Sequence, residues 1–224
     1  MEWSVSFEEP LREVLTIVDA AAERAGVLLG EKTSRIKQLY SIIAKLRRGH
    51  PRLSSIDDIA GCRAVVEREV DINALVLQLA TANVKRVRDY RNNDRNGYRA
   101  VHMTIVDDVG RAVELQLRTE IQHVWAGLCE RRAAVVDHAV KYGGGPLEEQ
   151  ERLQELSRRG RILDARQMEH DARLARIQLT PRELFDTAWA NELHTLDVEM
   201  TERREQVEEF RAICESYARE GAQS

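Results

Sequence analysis

The chain has 224 residues, 43% hydrophobic and 32% charged, a composition typical of globular proteins with solvated helices. A net charge of −4 excludes a uniformly basic nucleic-acid coat, although 34 Lys and Arg residues leave room for a local basic groove. Three cysteines without a CxxC pair indicate reduced thiols, and the sequence has neither a signal-like N-terminus nor an apolar run of bilayer length. We expect a soluble, cytoplasmic protein with no membrane partner.

The first part of the chain predicts two helices. Residues 6–29 repeat apolar side chains at three- and four-residue spacing, which is typical of an amphipathic helix. The stretch SRIKQLYSIIAKLRRG, residues 34–49, is interpreted as a second helix with basic residues at its C-terminal end. On that helix Arg35, Lys37 and Lys45 would lie towards one side. Such a basic stripe is either simply solvated or grips a polyphosphate.

The middle of the chain mixes strands with helices. Residues 70–82 predict a helix. Four segments carry the β-branched or alternating pattern of strands: 61–67, 84–91, 98–108 and 111–119. The last two are joined at Val109-Gly110 as a hairpin. We therefore predict an α/β (α+β) fold with a mixed, partly antiparallel sheet flanked by helices.

The remainder of the chain predicts helices. A helical pattern runs from Glu120 to about Lys141 and is followed by a triple glycine. Thr180-Pro181-Arg182-Glu183 has the residue types of a helix start. Beyond Pro146 the dense mixed charge predicts a C-terminal helical extension, in one interpretation an antiparallel pair. The predicted organisation is an N-terminal helix at 1–30, a central domain at 31–145 and the extension at 146–224.

Candidate polar residues stand at the ends and on one face of the predicted strands. Glu114, Gln116 and Arg118 alternate with apolar residues, so they share one face, which is either solvated or the floor of a cleft. Asp58 precedes a tight Ala-Gly step, where it either caps a turn or joins Glu114 in holding Mg²⁺. In RNGYRAVH, Tyr98 is either a half-buried hairpin residue or a ring that stacks on a base while its arginines face phosphates.

Six motifs, taken in order, resemble those of RelA/SpoT-type synthetases and of the small alarmone synthetase family. They are R-x-K-x-x-Y-S-I-x-x-K (35–45), D-I-A-G-x-R (58–63), D-Y (89–90), N-G-Y-R-x-x-H (96–102), V-E-x-Q-x-R-T (113–119) and W-A (125–126). The resemblance covers residues 30–142 and implies a nucleotidyltransferase-like synthetase fold. It also implies transfer of the β,γ-pyrophosphate of ATP to the ribose 3′-hydroxyl of GDP or GTP, giving (p)ppGpp and AMP.

By similarity, the resemblance assigns roles to individual residues. Asp58 and Glu114 would hold Mg²⁺, and Glu114 would also take the proton of the 3′-hydroxyl. Tyr98 would stack on the acceptor guanine. The ATP-binding residues would be Arg35, Lys37, Lys45 and Arg63. The remaining acceptor contacts would come from Asn96, His102, Gln116 and Arg118.

Two places depart from the family pattern. Cys129-Glu130 stand where small members often have Glu-His, and Asp94-Arg95 stand where Lys-Pro is common. The first departure puts the acceptor contacts in question, and the second displaces a charge by one residue and puts phosphate recognition in question. Cys129 is interpreted as a packed thiol because no partner base is evident. The KYGGG segment at 141–145 carries no assigned role.

Other functions remain open at this point. About 30 residues precede the motifs, and His170-Asp171 lies in the charged extension, so we expect no hydrolase activity. A related toxin of a toxin–antitoxin pair would pyrophosphorylate the 3′ end of tRNA, and a catalytically idle binding module is a third interpretation. A tRNA acceptor needs a basic track, for which the chain offers Arg47, Arg48, Arg52, Arg131 and Arg132.

The expected partners follow from these alternatives. ATP and GDP or GTP are the expected substrates. The narrow apolar stripe of the extension needs another surface, so we expect a homo-oligomer through the C-terminal helices, with an antitoxin bound there as the competing idea.

Overall fold

The computed structural model describes residues 5–47, 56–92, 95–181 and 187–221. These fall into two compact units. Unit 1 holds the described residues up to 93 together with Arg99–Glu120, and unit 2 holds those of 94–98 together with those from Ile121 onward. The compact units divide the chain at other residues than the domain limits predicted at 30 and 145. Those limits stay predictions.

Unit 1 contains a five-stranded mixed sheet. Its strands are β1 (Lys32–Ile36), β2 (Ala60–Val66), β3 (Val84–Asp89), β4 (Val101–Val106) and β5 (Ala112–Thr119). The spatial order is β1-β2-β5-β4-β3. The central pair β2 and β5 is parallel, and every other neighbouring pair is antiparallel. The predicted hairpin of β4 and β5 is confirmed.

Three helices accompany the sheet: α1 (Glu8–Ala25), α2 (Leu39–Arg47) and α3 (Glu69–Leu79). The apolar residues of β5 point to one face of the sheet because side chains alternate along a strand. There Val113, Leu115 and Leu117 join one core with α1 and α3, represented by Val18 and Leu75. The other face of β5 is left to its polar residues.

The helix predicted over 34–49 is wrong in its first part. Lys32–Ile36 is the edge strand β1, which pairs antiparallel with β2, and the helix begins only at Leu39. Pairing with a buried neighbour supplies the backbone hydrogen bonds of this segment and overrides its helical pattern. Arg35 therefore lies on a strand and forms no helical stripe with Lys37 and Lys45. Residues 48–55 lie outside the described residues.

Unit 2 is built from α4 (Glu120–Val135), α5 (Leu147–Leu179) and α6 (Thr187–Arg219), with short 3₁₀ turns at Arg95–Gly97 and His138–Tyr142. Ion pairs from Arg152 to Glu220 and from Arg173 to Glu192 show that α5 and α6 run antiparallel. The apolar core of the unit includes Trp125, Leu128, Leu153, Leu156 and Phe210.

Only the first two residues of the predicted helix start, Thr180 and Pro181, are among the described residues. Thr180 follows the last turn of α5, where its N–H donates to the carbonyl of Ile177. Arg182 and Glu183, the other half of that pattern, lie outside the described residues. None of the helices that the structure describes is long and apolar enough to cross a membrane.

All three cysteines are free and buried. Cys62 belongs to the core of unit 1, whereas Cys129 and Cys214 belong to the core of unit 2. Burial raises the pKa of Cys62 to about 12, of Cys129 to about 11 and of Cys214 to about 12. Cys129 is thus the packed thiol that the sequence analysis expects.

Candidate active site

The polar residues of β5 share their face with those of β2. In the parallel register Gly61 lies beside Glu114, and Arg63 lies beside Gln116. Side chains of paired residues project to the same side of a sheet. Glu114, Gln116 and Arg118 are partly or fully buried on this side, so the row is the floor of a sheltered surface and is not simply solvated.

The flanking strands add two more of the predicted residues to this polar face. On β4, His102 is the antiparallel partner of Gln116. On β1, Arg35 is the antiparallel partner of Gly61. Four strands therefore contribute to one polar face, and the glycine at its middle leaves space between the arginine and the glutamate.

Glu114 is held by its neighbours on the sheet. His102 Nδ1 lies 3.1 Å from Glu114 Oε1, and Gln116 Nε2 donates to Glu114 Oε2 at 2.8 Å. Arg118 Nη2 in turn donates to Gln116 Oε1 at 2.9 Å. The ring of Tyr90 packs edge-on against His102, with centroids 5.0 Å apart. These contacts fix the orientation of the carboxylate before any ligand arrives.

The same contacts decide the ionisation of Glu114. Burial raises the pKa of this carboxyl, and the negative charge of Asp58 raises it further. The hydrogen bond and charge interaction with His102, together with the hydrogen bond from Gln116, lower it by more. The net pKa lies below the ordinary glutamate value, so Glu114 is a carboxylate at neutral pH.

Asp58 stands at the start of β2 beside the predicted phosphate-binding lysine. The N–H of Lys37 donates to the carbonyl of Ile59 at 2.8 Å, which extends the pairing of β1 with β2 by one residue. That bond brings the Lys37 ammonium onto the Asp58 carboxylate. The neighbouring Asp57 accepts a hydrogen bond from Lys85 at 2.9 Å. Both members of the acidic pair therefore contact cations.

The carboxylates of Asp58 and Glu114 could serve as two ligands of a Mg²⁺ ion. Asp58 and Glu114 are near enough that the charge of one raises the pKa of the other. Mg²⁺ commonly binds one or two carboxylates and completes its shell with phosphate and water oxygens. Within the described ranges no cluster of three or more His, Cys, Asp or Glu residues is arranged to hold a metal. Each carboxylate has about four lone-pair sites, so the contacts to Lys37 and His102 are compatible with a metal.

Asn96 and Tyr98 belong to unit 2 and are described there. Asn96 has φ +64°, an uncommon left-handed conformation for a residue other than glycine. Tyr98 is partly buried against the apolar core of that unit. Arg99 is only 4% exposed and its Nη1 lies 3.8 Å from Glu69 Oε1, both in unit 1. One of the two arginines expected to face phosphates is therefore buried against a carboxylate.

Several predicted residues meet in the structure, and others lie elsewhere. Unit 1 brings together Lys37 with Asp58, and His102 with Glu114, Gln116 and Arg118 on the face that Arg35 and Arg63 share. Nothing is described of the side chains of Lys45 and Arg95. The sequence analysis missed a role for Tyr90, whose signal was its place in the D-Y motif.

The predicted basic track loses one member. Arg132 is 7% exposed and donates to Glu149 from Nε at 2.9 Å and from Nη2 at 2.8 Å. A guanidinium that is buried on a carboxylate is not available to a tRNA phosphate. Arg131 is exposed, as is Arg47.

Comparison with known proteins agrees with the motifs. Residues 34–142 match the family model described as the region found in RelA/SpoT proteins. An uncharacterised protein from Mycobacterium tuberculosis is 34% identical over 119 residues, which are 51% of this chain and 43% of that protein. A probable chloroplastic GTP diphosphokinase from Arabidopsis thaliana is 29% identical over 126 residues, which are 54% of this chain and 18% of that protein. The chain thus spans less than half the length of these curated relatives.

A solved structure gives the same fold. The small alarmone synthetase 1 from Bacillus subtilis, bound to its product pppGpp, has a TM-score of 0.59 and 24% identity, covering 78% of this chain and 98% of that one. The predicted synthetase fold with a mixed sheet, flanking helices and a C-terminal helical extension is confirmed. Over residues 34–142 the chain is similar to the RelA/SpoT-type region.

Proposed function

We propose that the protein is an ATP-dependent pyrophosphokinase. It transfers the β,γ-pyrophosphate of ATP to the ribose 3′-hydroxyl of GDP or GTP and releases AMP and (p)ppGpp. The observation that carries the proposal is the ionised Glu114, fixed by His102 and Gln116 on the polar face of a RelA/SpoT-type region. The solved relative with bound pppGpp supports a guanine nucleotide as acceptor.

The reaction joins an alcohol oxygen to phosphorus and breaks the bond between the α- and β-phosphates. An alcohol is a weak nucleophile unless its proton leaves as the new bond forms. The Glu114 carboxylate takes that proton, because it is ionised at neutral pH and already oriented. His102 and Gln116 keep the carboxylate in place and stabilise its charged state.

The cations of the same face bind the triphosphate. Arg35 and Arg63 stand on the neighbouring strands β1 and β2. Guanidinium groups bind phosphate oxygens with paired hydrogen bonds and disperse the charge that grows on the leaving AMP. Lys37 and Lys45 are proposed to add ammonium contacts to the phosphates.

Asp58 and Glu114 would hold Mg²⁺. When bound, this ion neutralises phosphate charge and helps to orient the in-line attack. Lys37 occupies part of the Asp58 carboxylate in the structure, so the lysine and the metal share one anionic partner.

The acceptor nucleotide is assigned to the remaining predicted residues. Tyr98 offers a ring for stacking on guanine, and base–aromatic stacking is worth about 1–3 kcal/mol. Asn96 has an amide that can both donate to and accept from the base edge or ribose. These two roles rest on the family resemblance together with the chemistry of the side chains.

The test is transfer of label from γ-labelled ATP. Purified protein is incubated with Mg²⁺ and either GDP, GTP or deacylated tRNA. We expect label in the guanine nucleotide, and we expect Glu114→Gln to reduce the rate by about 10²- to 10⁴-fold because the base is lost. Glu67→Gln is the matched control, since Glu67 is an exposed glutamate of the same unit.

Each outcome has a definite meaning. Label in tRNA alone would replace the proposal with the toxin-type reaction. No transfer to any acceptor, with ATP still bound, would favour an idle binding module. The proposed activity is synthesis without hydrolysis, so purified (p)ppGpp incubated with the protein is expected to keep its 3′-pyrophosphate.

A further inference from the structure

The loop of Asn96, Gly97 and Tyr98 has a left-handed backbone at two successive residues. Asn96 has φ +64° and Gly97 has φ +75°. Asn and Gly are the residue types that tolerate this region best, and neighbouring side chains hold the loop in it. The residues that do so lie in the same unit of the chain.

Ser157 of α5 is the first of these residues. Its hydroxyl donates to the carbonyl of Gly97 at 2.7 Å, and Ser157 is itself only 5% exposed. A side chain at position 97 would have its Cβ 2.7 Å from Ser157 Cβ and 3.0 Å from Trp125. The loop backbone is therefore packed directly onto α5 and α4, which leaves no room for a side chain at position 97.

Gly143 is the second residue that fixes the loop. Its φ is +78°, and a Cβ built there would lie 2.2 Å from Asn96 Oδ1. The glycine thus lets the backbone pass against the Asn96 amide. This contact gives the first glycine of the KYGGG segment a role that its sequence alone does not reveal.

A hydrogen bond from α5 also holds the glycine segment, as another one holds the loop. Gln150 of α5 donates to the carbonyl of Gly144. Nearby, Trp125 Nε1 donates to the carbonyl of Leu153 at 2.9 Å. One helix thus holds both the loop and the segment that packs against its asparagine.

We propose that Ser157 and Gly143 are positioning residues for the acceptor nucleotide. They hold the loop so that the Tyr98 ring and the Asn96 amide are set before the acceptor binds, which reduces the ordering cost of binding. The C-terminal helix α5 thereby takes part in acceptor recognition without touching the acceptor. This inference rests on the proposed function, in which Tyr98 and Asn96 contact the guanine nucleotide.

The experiment compares Ser157→Ala with Thr201→Ala in the full chain. Thr201 is a matched control because its hydroxyl also donates to a backbone carbonyl, that of Asp197 at 3.0 Å on α6. We expect Ser157→Ala to raise the KM for GDP by about three- to tenfold, the size of one lost hydrogen bond, and to leave the KM for ATP unchanged. Thr201→Ala is expected to change neither.

A second variant and a second readout keep the inference open to refutation. Gly143→Ala adds a clash with Asn96, so it is expected to raise the KM for GDP further, whereas Gly110→Ala has similar positive-φ strain with nothing within 4 Å. In the unliganded protein, hydrogen exchange of the peptide covering 95–100 is expected to accelerate in Ser157→Ala and not in Thr201→Ala. Equal changes in the KM values for GDP and ATP would indicate a merely structural role and overturn the inference.

The two proposals fail separately. Wild-type protein that transfers label to GDP while Ser157→Ala keeps its KM for GDP would overturn only the positioning role. Wild-type protein that transfers label to no acceptor would overturn the proposed function and, with it, the role in acceptor recognition. Unchanged hydrogen exchange at 95–100 would show that Ser157 does not hold the loop at all.

Discussion

Glu114 is the residue on which the proposed chemistry depends most, and its neighbours set its charge. Burial alone would raise its pKa and make it a poorer carboxylate at neutral pH. His102 and Gln116 reverse that tendency. Glu114 is therefore a base with a low pKa, which is ionised at neutral pH and held in a fixed orientation.

Replacing His102 by alanine is expected to raise the pKa of Glu114. The burial of the carboxyl and the repulsion from Asp58 persist in this variant, while the hydrogen bond and charge interaction that lower the pKa are gone. NMR titration of ¹³C-labelled glutamate side chains measures the change. Tyr90→Phe is the control, because a phenyl ring retains the edge contact with His102. An unchanged Glu114 pKa in His102→Ala would contradict this account.

At the residue scale, the sequence predicts the placement of the site residues on β5 better than that of the site residues on β1. The period-two alternation of β5 is enough to place Glu114, Gln116 and Arg118 on one face. The contact of Lys37 with Asp58 depends on a strand pairing between segments 21 residues apart, which no local pattern encodes. The edge-on contact of Tyr90 with His102 likewise depends on the pairing of β3 with β4.

Among the elements, β1 and β2 show how a glycine keeps the polar face open. Gly61 is paired with Arg35 on one side and with Glu114 on the other. A Cβ at this position would lie 3.4 Å from the Glu114 carbonyl, which is close but tolerable. The backbone therefore accepts a side chain here, although the space above it lies between two proposed functional groups.

Gly61→Val is accordingly expected to reduce activity far more than stability. A β-branched residue suits a strand, so the melting temperature should change little, whereas its bulk would lie between Arg35 and Glu114. Pyrophosphate transfer should fall by more than about tenfold, a barrier increase of about 1.4 kcal/mol. Ser34→Val is the control, since Ser34 is an exposed residue of β1 that pairs with Cys62 and so lies on the opposite face. Full activity in Gly61→Val would show that this part of the face is not used.

The helices α4 and α5 are joined by a buried ion pair. Arg132 and Glu149 are 7% and 6% exposed, and Tyr217 packs against the guanidinium with its ring centroid 4.4 Å away. Burial raises the pKa of Glu149, but hydrogen bonds from Arg132 and Tyr217 lower it to below the ordinary value. Its stabilising contribution is therefore complete above the unfolded-state pKa and is lost as pH falls through the folded-state pKa.

Arg132→Ala is expected to destabilise the protein by about 3–5 kcal/mol, because it leaves the Glu149 carboxylate buried without its main partner. Urea unfolding at neutral pH measures this loss. Arg132→Met with Glu149→Leu removes both charges and should recover most of the stability. A double variant as unstable as the single one would contradict the explanation, and the penalty of Arg132→Ala should shrink at acidic pH, where Glu149 is protonated.

At the scale of the whole molecule, the chain passes from unit 1 into unit 2 for residues 94–98 and returns before entering it again at Ile121. The sequence predicts the elements of both units well, but it does not predict this path. Its composition change after Pro146 suggests an extension, whereas the core of unit 2 combines α4 with α5 and α6. Shared burial between distant segments leaves no mark in local composition.

A chain ending at Gly145 is therefore expected to fail to fold its last helix. Truncation would uncover Trp125 and Leu128 of α4, which are buried with Leu153, Leu156 and Phe210. Size-exclusion chromatography should show aggregation, and circular dichroism should show a helix loss greater than the removed segments account for. A monomeric truncated chain with its remaining helices intact would contradict the shared core.

The alkylation rates of the three buried cysteines report how often each unit opens. Alkylating reagents react with thiolates, and burial keeps all three thiols protonated and inaccessible in the folded chain. Cys62 becomes reactive only when unit 1 opens, whereas Cys129 and Cys214 become reactive only when unit 2 opens. Mass-spectrometric labelling over time at each cysteine would therefore measure the opening rates of the two units separately in a single unmodified sample.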